Sequence, residues 1–432
     1  MTLMHPKPSA SHFLPSLGLL VLAGGMGAIF RSIGRWQNLG SSVPELIALL
    51  LVGGALYIAG VYVVERFTLG LPALLIIVMG ALFFRLCLLP REPAISSDVY
   101  RYQWEGRVEH LHLNPYTVDP AMPALAGIED PEHRIEAGRT VSTLYPPLSE
   151  LSFSWVSTIA GYKRLYTDLD VAALGLLIAI LRVLKQPLHR VLTYAWNPCV
   201  VVSFAMCGHH DSLAIVTLLA AILFMTLRRP ALSLLFLGLS VISKFFSVLL
   251  LPVLLKRTRL AYAALVVAVV GLGYLPFLGA KSRLFKGLSD YAAGWEGNDS
   301  LFRFILFAGN SKAQAELVAG VFVIVLIVYA LNRRLEPTAA SLLVISGLLF
   351  LSPNAFPWYF TWMAPFLCFS PRVPLLMMTV TSVLGYAPVV AYAAGQPYKD
   401  SILILALEYV PVYAWLALEA KLPTKRRSFD LR

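Results

Sequence analysis

The sequence predicts an all-α polytopic membrane protein: a helical bundle of roughly 11–14 apolar segments with a large first loop outside the cytoplasm. Three observations carry that prediction. Of 432 residues, 58% are hydrophobic and only 14% are charged, and the mean hydropathy is +0.72. A water-soluble chain of this length needs far more polar surface to cover one core. The apolar runs are long enough to cross hydrocarbon, which takes about 20 helical residues. Helices suit lipid because they satisfy their own backbone groups.

Taken in order, 12–31, 44–64 and 72–90 are the clearest early spans. The first lacks a strongly basic leader and a small-residue cleavage site, so it is expected to be retained. Later candidates are 146–161, 168–184, 191–207, 211–227, 231–255, 259–279, 315–331, 338–352, 357–370, 373–394 and 401–420. Several are short, which leaves re-entrant or paired half-spans open. The whole chain, 1–432, reads as one membrane domain without an internal repeat.

Charge sets an orientation. Basic clusters occupy short connections at Arg228–Arg229, Lys256–Arg257–Arg259, Arg333–Arg334 and Lys425–Arg426–Arg427. The positive-inside rule assigns these to the cytoplasm. Topology and anionic headgroups account for them, so no nucleic-acid partner is expected. Residues 91–144 hold nine acidic and five basic residues and no long apolar run. Three spans from a cytoplasmic N-terminus place this loop outside, and a second excursion, 281–314, falls on the same side. Cys87, Cys199, Cys207 and Cys368 lie in or beside apolar segments without a C-x-x-C pair, and read as small buried hydrophobes. There is no phosphate loop and no dinucleotide fingerprint.

Five constellations could carry chemistry. In Ser97-Asp98-Val99-Tyr100-Arg101-Tyr102-Gln103-Trp104-Glu105-Gly106-Arg107, helical spacing puts Asp98, Arg101, Tyr102 and Glu105 on one face. Ser96 or Ser97 is the expected cap, and Val99 and Trp104 are expected against the headgroup layer. A plain surface helix with an Arg101–Glu105 ion pair fits the same pattern. Tyr145-Pro146-Pro147 marks a rigid re-entry into the membrane, where a tyrosine serves as an interface anchor or a ligand contact. Gly208-His209-His210-Asp211 puts polar groups at a span's end, where they should face a cavity; hydrogen bonding is favoured over metal. Lys244, within 231–255, either snorkels or sits at the outer tip of a hairpin, where it could meet a phosphate. Asn354 and the Trp358-Tyr359-Trp362 cluster form an aromatic belt or a platform for a sugar ring.

In this order the motifs resemble polyprenyl-phosphate-sugar-dependent glycosyltransferases of the GT-C fold, most closely the bacterial multispan mannosyltransferases. The resemblance runs from about Ser97 to Trp362, and Asp98 to Arg107 with Asn114-Pro115-Tyr116 is its most specific part. It implies a sugar, mannose first, carried on a polyprenyl phosphate, and an acceptor glycan or glycolipid outside a bacterial inner membrane. It implies an inverting displacement with Asp98 as general base. Tyr100, Arg101, Glu105, Arg107, Tyr145, His209, His210, Asp211, Lys244, Asn354, Trp358 and Tyr359 are the residues expected to bind donor or acceptor. A second acid two residues from Asp98 is often present in the family; here Ser96 and Tyr100 stand at those places, so neither a metal nor another cofactor is expected. The alternative is a transporter or flippase for a lipid or amphiphile.

Overall fold

The computed structural model describes residues 13–36, 42–93, 95–128, 135, 138–309, 311–393 and 399–421. The basic cluster Lys425–Arg427 lies outside them. Helices dominate: α1 (Phe13–Ile33), α2 (Val43–Arg66), α3 (Leu71–Leu88), α4 (Asp98–His110), α5 (Pro147–Ser154), α6 (Ile159–Val183), α7 (Asp211–Thr226) and α8 (Pro230–Val241). They continue as α9 (Ala263–Tyr274), α10 (Lys286–Gly294), α11 (Leu301–Ala308), α12 (Lys312–Asn332), α13 (Pro337–Leu351), α14 (Val373–Thr381) and α15 (Ile402–Lys421). Seven helices among the described residues are long and apolar enough to cross a membrane, and four shorter apolar ones stand beside them. The chain is a polytopic membrane protein.

Packing at lipid depth relies on small residues and paired charges. α2 approaches α14 so closely that a Cβ on Gly54 would lie 2.2 Å from Val380 Cγ1. Arg85 on α3 is buried; its Nε donates to Asp170 Oδ2 on α6 at 2.5 Å, and its Nη1 donates to Ala195 O at 2.9 Å. An unpaired guanidinium there would be far costlier than one with all three nitrogens engaged.

Four expected spans differ from simple helices. The segment 146–161 divides into the eight-residue α5 and the start of α6, and does not cross. The segment 191–207 breaks at Asn197-Pro198, where the Asn197 side chain accepts from Cys199 N–H and proline cannot donate. It resumes as the short helical turn Pro198–Val201 and continues as a π-helical turn over Val202–Met206. The segment 357–370 is split by its prolines into the short turns Pro357–Trp362 and Ala364–Leu367. Finally, 231–255 is a hairpin: α8 rises, Lys244 occupies the turn, and Phe245–Leu250 and Leu251–Leu255 return. Ser240 and Ser247 tie the limbs together at 2.6 Å between hydroxyl oxygens.

One expectation is corrected. Val99 and Trp104 do not lie against headgroups; both are buried. The loop after α4 folds back over the helix, so Trp104 packs with Val108 and Ile135 and carries Arg101 above its ring at 5.1 Å.

Candidate active site

Asp98 is the first residue of α4. Ser97 precedes it without capping through its side chain, and Ser96 Oγ accepts weakly from Asp98 N–H at 3.4 Å. The helix is seated by aromatic packing: Tyr102 stacks on Phe153 of α5 at 4.5 Å, and Tyr145 meets the edge of both rings. Asp98 is thereby fixed while a third of its side chain stays accessible. Burial pushes its carboxyl up to about 6; the Lys244 charge opposes that shift, and Asp211 and Glu105 add to it.

The π-helical turn over Val202–Met206 delivers the next group. Such a turn inserts one residue and re-aims the chain beyond it. Gly208 then turns the chain at φ +71, where a Cβ would meet Lys163 Cγ at 2.9 Å. Only glycine is free of strain there. Beyond it His209 Nδ1 lies 3.5 Å from Asp98 Oδ2, and its ring stacks on Trp358 at 4.3 Å. His210 Nδ1 is 3.0 Å from the Tyr102 hydroxyl, and the ring is met edge-on by Tyr145. Asp211 opens α7, pairs with Lys244 Nζ at 2.8 Å, and accepts from Trp362 Nε1 at 2.6 Å.

Lys244 therefore arrives from the hairpin turn and lies over the rings of Tyr359 and Trp362, at 5.1 and 5.4 Å. Those two rings stack at 4.5 Å, and Tyr291 reaches across from α10 to place its hydroxyl 3.1 Å from that of Tyr359. Asn354 pins the loop beside this wall: its Nδ2 donates to Trp295 O at 3.0 Å, and Gly297 pairs with Asn354 as a short bridge. The result is one cluster that gathers a partly accessible carboxylate, a paired cation near enough to act on its charge, and a set of stacked aromatic rings.

The family described as alpha-(1->6)-mannopyranosyltransferase, N-terminal domain, matches residues 16–258, more than half of the chain. The chain belongs to this family. No curated protein matches it. The matched residues contain Asp98, His209–Asp211 and Lys244, and end before Asn354, Trp358 and Tyr359. Membership makes the protein a membrane glycosyltransferase of mannosyltransferase type, which decides between transferase and transporter.

Not all residues expected in the glycosyltransferase's site gather around Asp98. Arg101 Nε donates to Glu105 at 2.7 Å, and its remaining nitrogens donate to Gly138 O and Val141 O. Arg107 donates to Ile128 O. These guanidiniums hold the outer loop through its carbonyls. Glu105 is fully buried with Arg101 beside Glu150, whose Oε1 accepts from Thr143 at 2.5 Å, and does not open to the cleft. Tyr100 packs half-buried against the Val99–Tyr102 cluster. Reading the sequence alone missed Tyr102 as the partner of His210, Trp362 as the donor to Asp211, and Tyr291. The i, i+4 spacing of Asp98 and Tyr102 was a usable signal for the first; nothing local marks the other two.

Proposed function

We propose that this glycosyltransferase moves mannose from a polyprenyl-phosphate donor to a glycan or glycolipid acceptor at the extracytoplasmic face of a bacterial inner membrane. Asp98 serves as general base in an inverting displacement. The observation that carries this reading is the gathering, in one aromatic-lined cluster, of a partly accessible Asp98 and the Lys244–Asp211 ion pair.

The step balances on these groups. The acceptor oxygen bonds to the anomeric carbon as its proton passes to Asp98. The bond from that carbon to the donor phosphate breaks, and the electron pair leaves with the polyprenyl phosphate. Lys244 meets the charge that gathers there, while Asp211, itself held by Trp362, keeps the ammonium in place. Trp358, stacked by His209 and Phe356, and Tyr359, stacked on Trp362, form a preorganised aromatic wall beside which the sugar would lie. Depth supports a lipid-linked donor. The 16 residues of α7 span about 24 Å, less than the roughly 30 Å of hydrocarbon, so its Asp211 end lies within reach of an isoprenoid-anchored phosphate. The basic residues Arg228 and Arg257 gather at the other end of α7 and α8, which supports the orientation.

Proteoliposomes supplied with polyprenyl-phosphate-mannose and a lipid-extract acceptor should yield a mannosylated product whose anomeric configuration, read by NMR, is opposite to the donor's. Retained configuration would remove the inverting mechanism. Transfer from a nucleotide sugar alone would remove the lipid-linked donor.

A further inference from the structure

At the end of the bundle away from Asp211, residues of α7, α8 and α13 line a cavity. α7 carries Asp211 at its first residue and Thr226 at its last, about 24 Å apart. The cavity at the Thr226 end has a volume of about 820 Å³ and is lined by Gln186, Arg228, Arg257, Glu336, Thr338 and Ser370. At that separation it cannot touch the reacting sugar.

Its chemistry is that of an anion site with an apolar floor. The 15-residue α13 opens into it at Pro337, and the N–H groups of Thr338 and Ala339 that follow lack carbonyl partners in the helix, where the dipole favours negative charge. Thr338 is 7% exposed and lines the cavity, and its hydroxyl has no hydrogen-bond partner among the described residues. Arg228 on the wall likewise has no ion-pair or hydrogen-bond partner for its guanidinium among them. Arg257 donates to Leu335 O at 2.9 Å and faces the exposed Glu336 carboxylate at 3.2 Å, an ion pair that an arriving anion would compete for. Leu184, Ile222, Met225 and Phe369 supply the apolar part.

Cations are placed at this end at a conformational cost. Arg228 ends α7 in the left-handed region at φ +58, with Arg229 N–H closing on Phe224 O at 2.8 Å. Lys185 after α6 (φ +56) and Arg334 after α12 (φ +50) repeat the arrangement, through Gln186 N–H to Leu181 O and Leu335 N–H to Ala330 O. Glycine is the strain-free residue at such a helix end. Part of this charge answers the carbonyl ends of the helices themselves. Arg228 and Arg257 also look onto the N-terminus of α13, where a ligand's negative charge would complete the set.

We propose that this cavity binds a phosphate group, either the headgroup phosphate of an anionic lipid in the adjacent leaflet or a soluble phosphoester. The test uses the purified full-length protein in detergent. In native mass spectrometry, wild type should retain phosphatidylglycerol in preference to phosphatidylcholine. The double variant Arg228→Ala/Arg257→Ala should lose about tenfold in that retention, as expected for two charge-assisted contacts. Thr338→Val, nearly isosteric and uncharged, should weaken it to a lesser extent and decides the matter if the double variant does not fold. In a parallel arm, inorganic phosphate is titrated against thermal unfolding. A stabilising shift seen in wild type and lost in the variants, without preference for phosphatidylglycerol, supports the site with a soluble source. Equal lipid retention by wild type and variants, with no phosphate shift, overturns the proposal.

Discussion

Asp98 and Glu105 stand two turns apart on one helix and have been put to opposite uses. Both are surrounded by protein, yet Asp98 keeps a third of its side chain accessible, with only a 3.5 Å contact to His209, whereas Glu105 is fully buried against Arg101. Glu105 is spent on fixing the outer loop through Arg101, whose other nitrogens hold Gly138 O and Val141 O. Asp98 has no such partner, and its carboxyl is held near 6 by burial. The difference shows how one helix supplies both a rigid foundation and a carboxylate left without a cationic partner, as the proposed base requires. What separates them is whether a guanidinium has claimed the carboxylate.

The sharpest way to break that contrast is Asp98→Asn. It should lower kcat by about 10²–10⁴-fold while leaving the protein folded, measured as sugar transfer in proteoliposomes. An unchanged rate would return Asp98 to a passive role. In wild type the rate should fall as pH drops through about 6, because the base becomes protonated, and the variant's residual rate should be flat across that window. Stability moves the other way: the folded state holds this proton more firmly than the unfolded chain, so ionising Asp98 as pH rises from about 4 to 6 costs the fold. Next in size, Lys244→Met should cost about 10²–10³-fold in kcat, with partial recovery in Lys244→Arg. A change confined to folding would make the lysine structural.

Glu105→Gln tests the other half of the comparison. It should cost about 3 kcal/mol of stability, read by denaturation in detergent, because it removes the charge partner of a nearly buried Arg101. The folded fraction should keep most of its kcat. Loss of kcat without loss of stability would put Glu105 in the chemistry. The smallest effect is expected from Gly208→Ala, about 1–2 kcal/mol, from the left-handed backbone and the Lys163 side chain that must yield.

Much of this architecture was legible in the residues. Hydropathy located the long helices, and the two basic flanks of 231–255 left a hairpin with Lys244 at its turn as one of two readings, which is the one the chain adopts. The order of Asp98, Gly208–Asp211 and Lys244 pointed to a group that the fold does assemble. The π-helical turn before Gly208 was not legible, because no residue type encodes an inserted position in an apolar run. Nor was the burial of Trp104, which depends on a loop closing from Ile135. The loop contacts of Arg101 and Arg107 were hidden for a related reason: sequence shows a cation but not the carbonyls that take up its hydrogen bonds.

The Ser240–Ser247 hairpin also constrains how the protein sits in lipid. Its rising limb, α8, has 12 residues and measures about 18 Å, too short to span a bilayer by itself. Its turn carries a lysine whose charge is answered by Asp211 on the preceding helix. α7 and the hairpin are therefore matched to lipid as a pair: the ammonium at the turn has its counter-charge only when α7 is beside it.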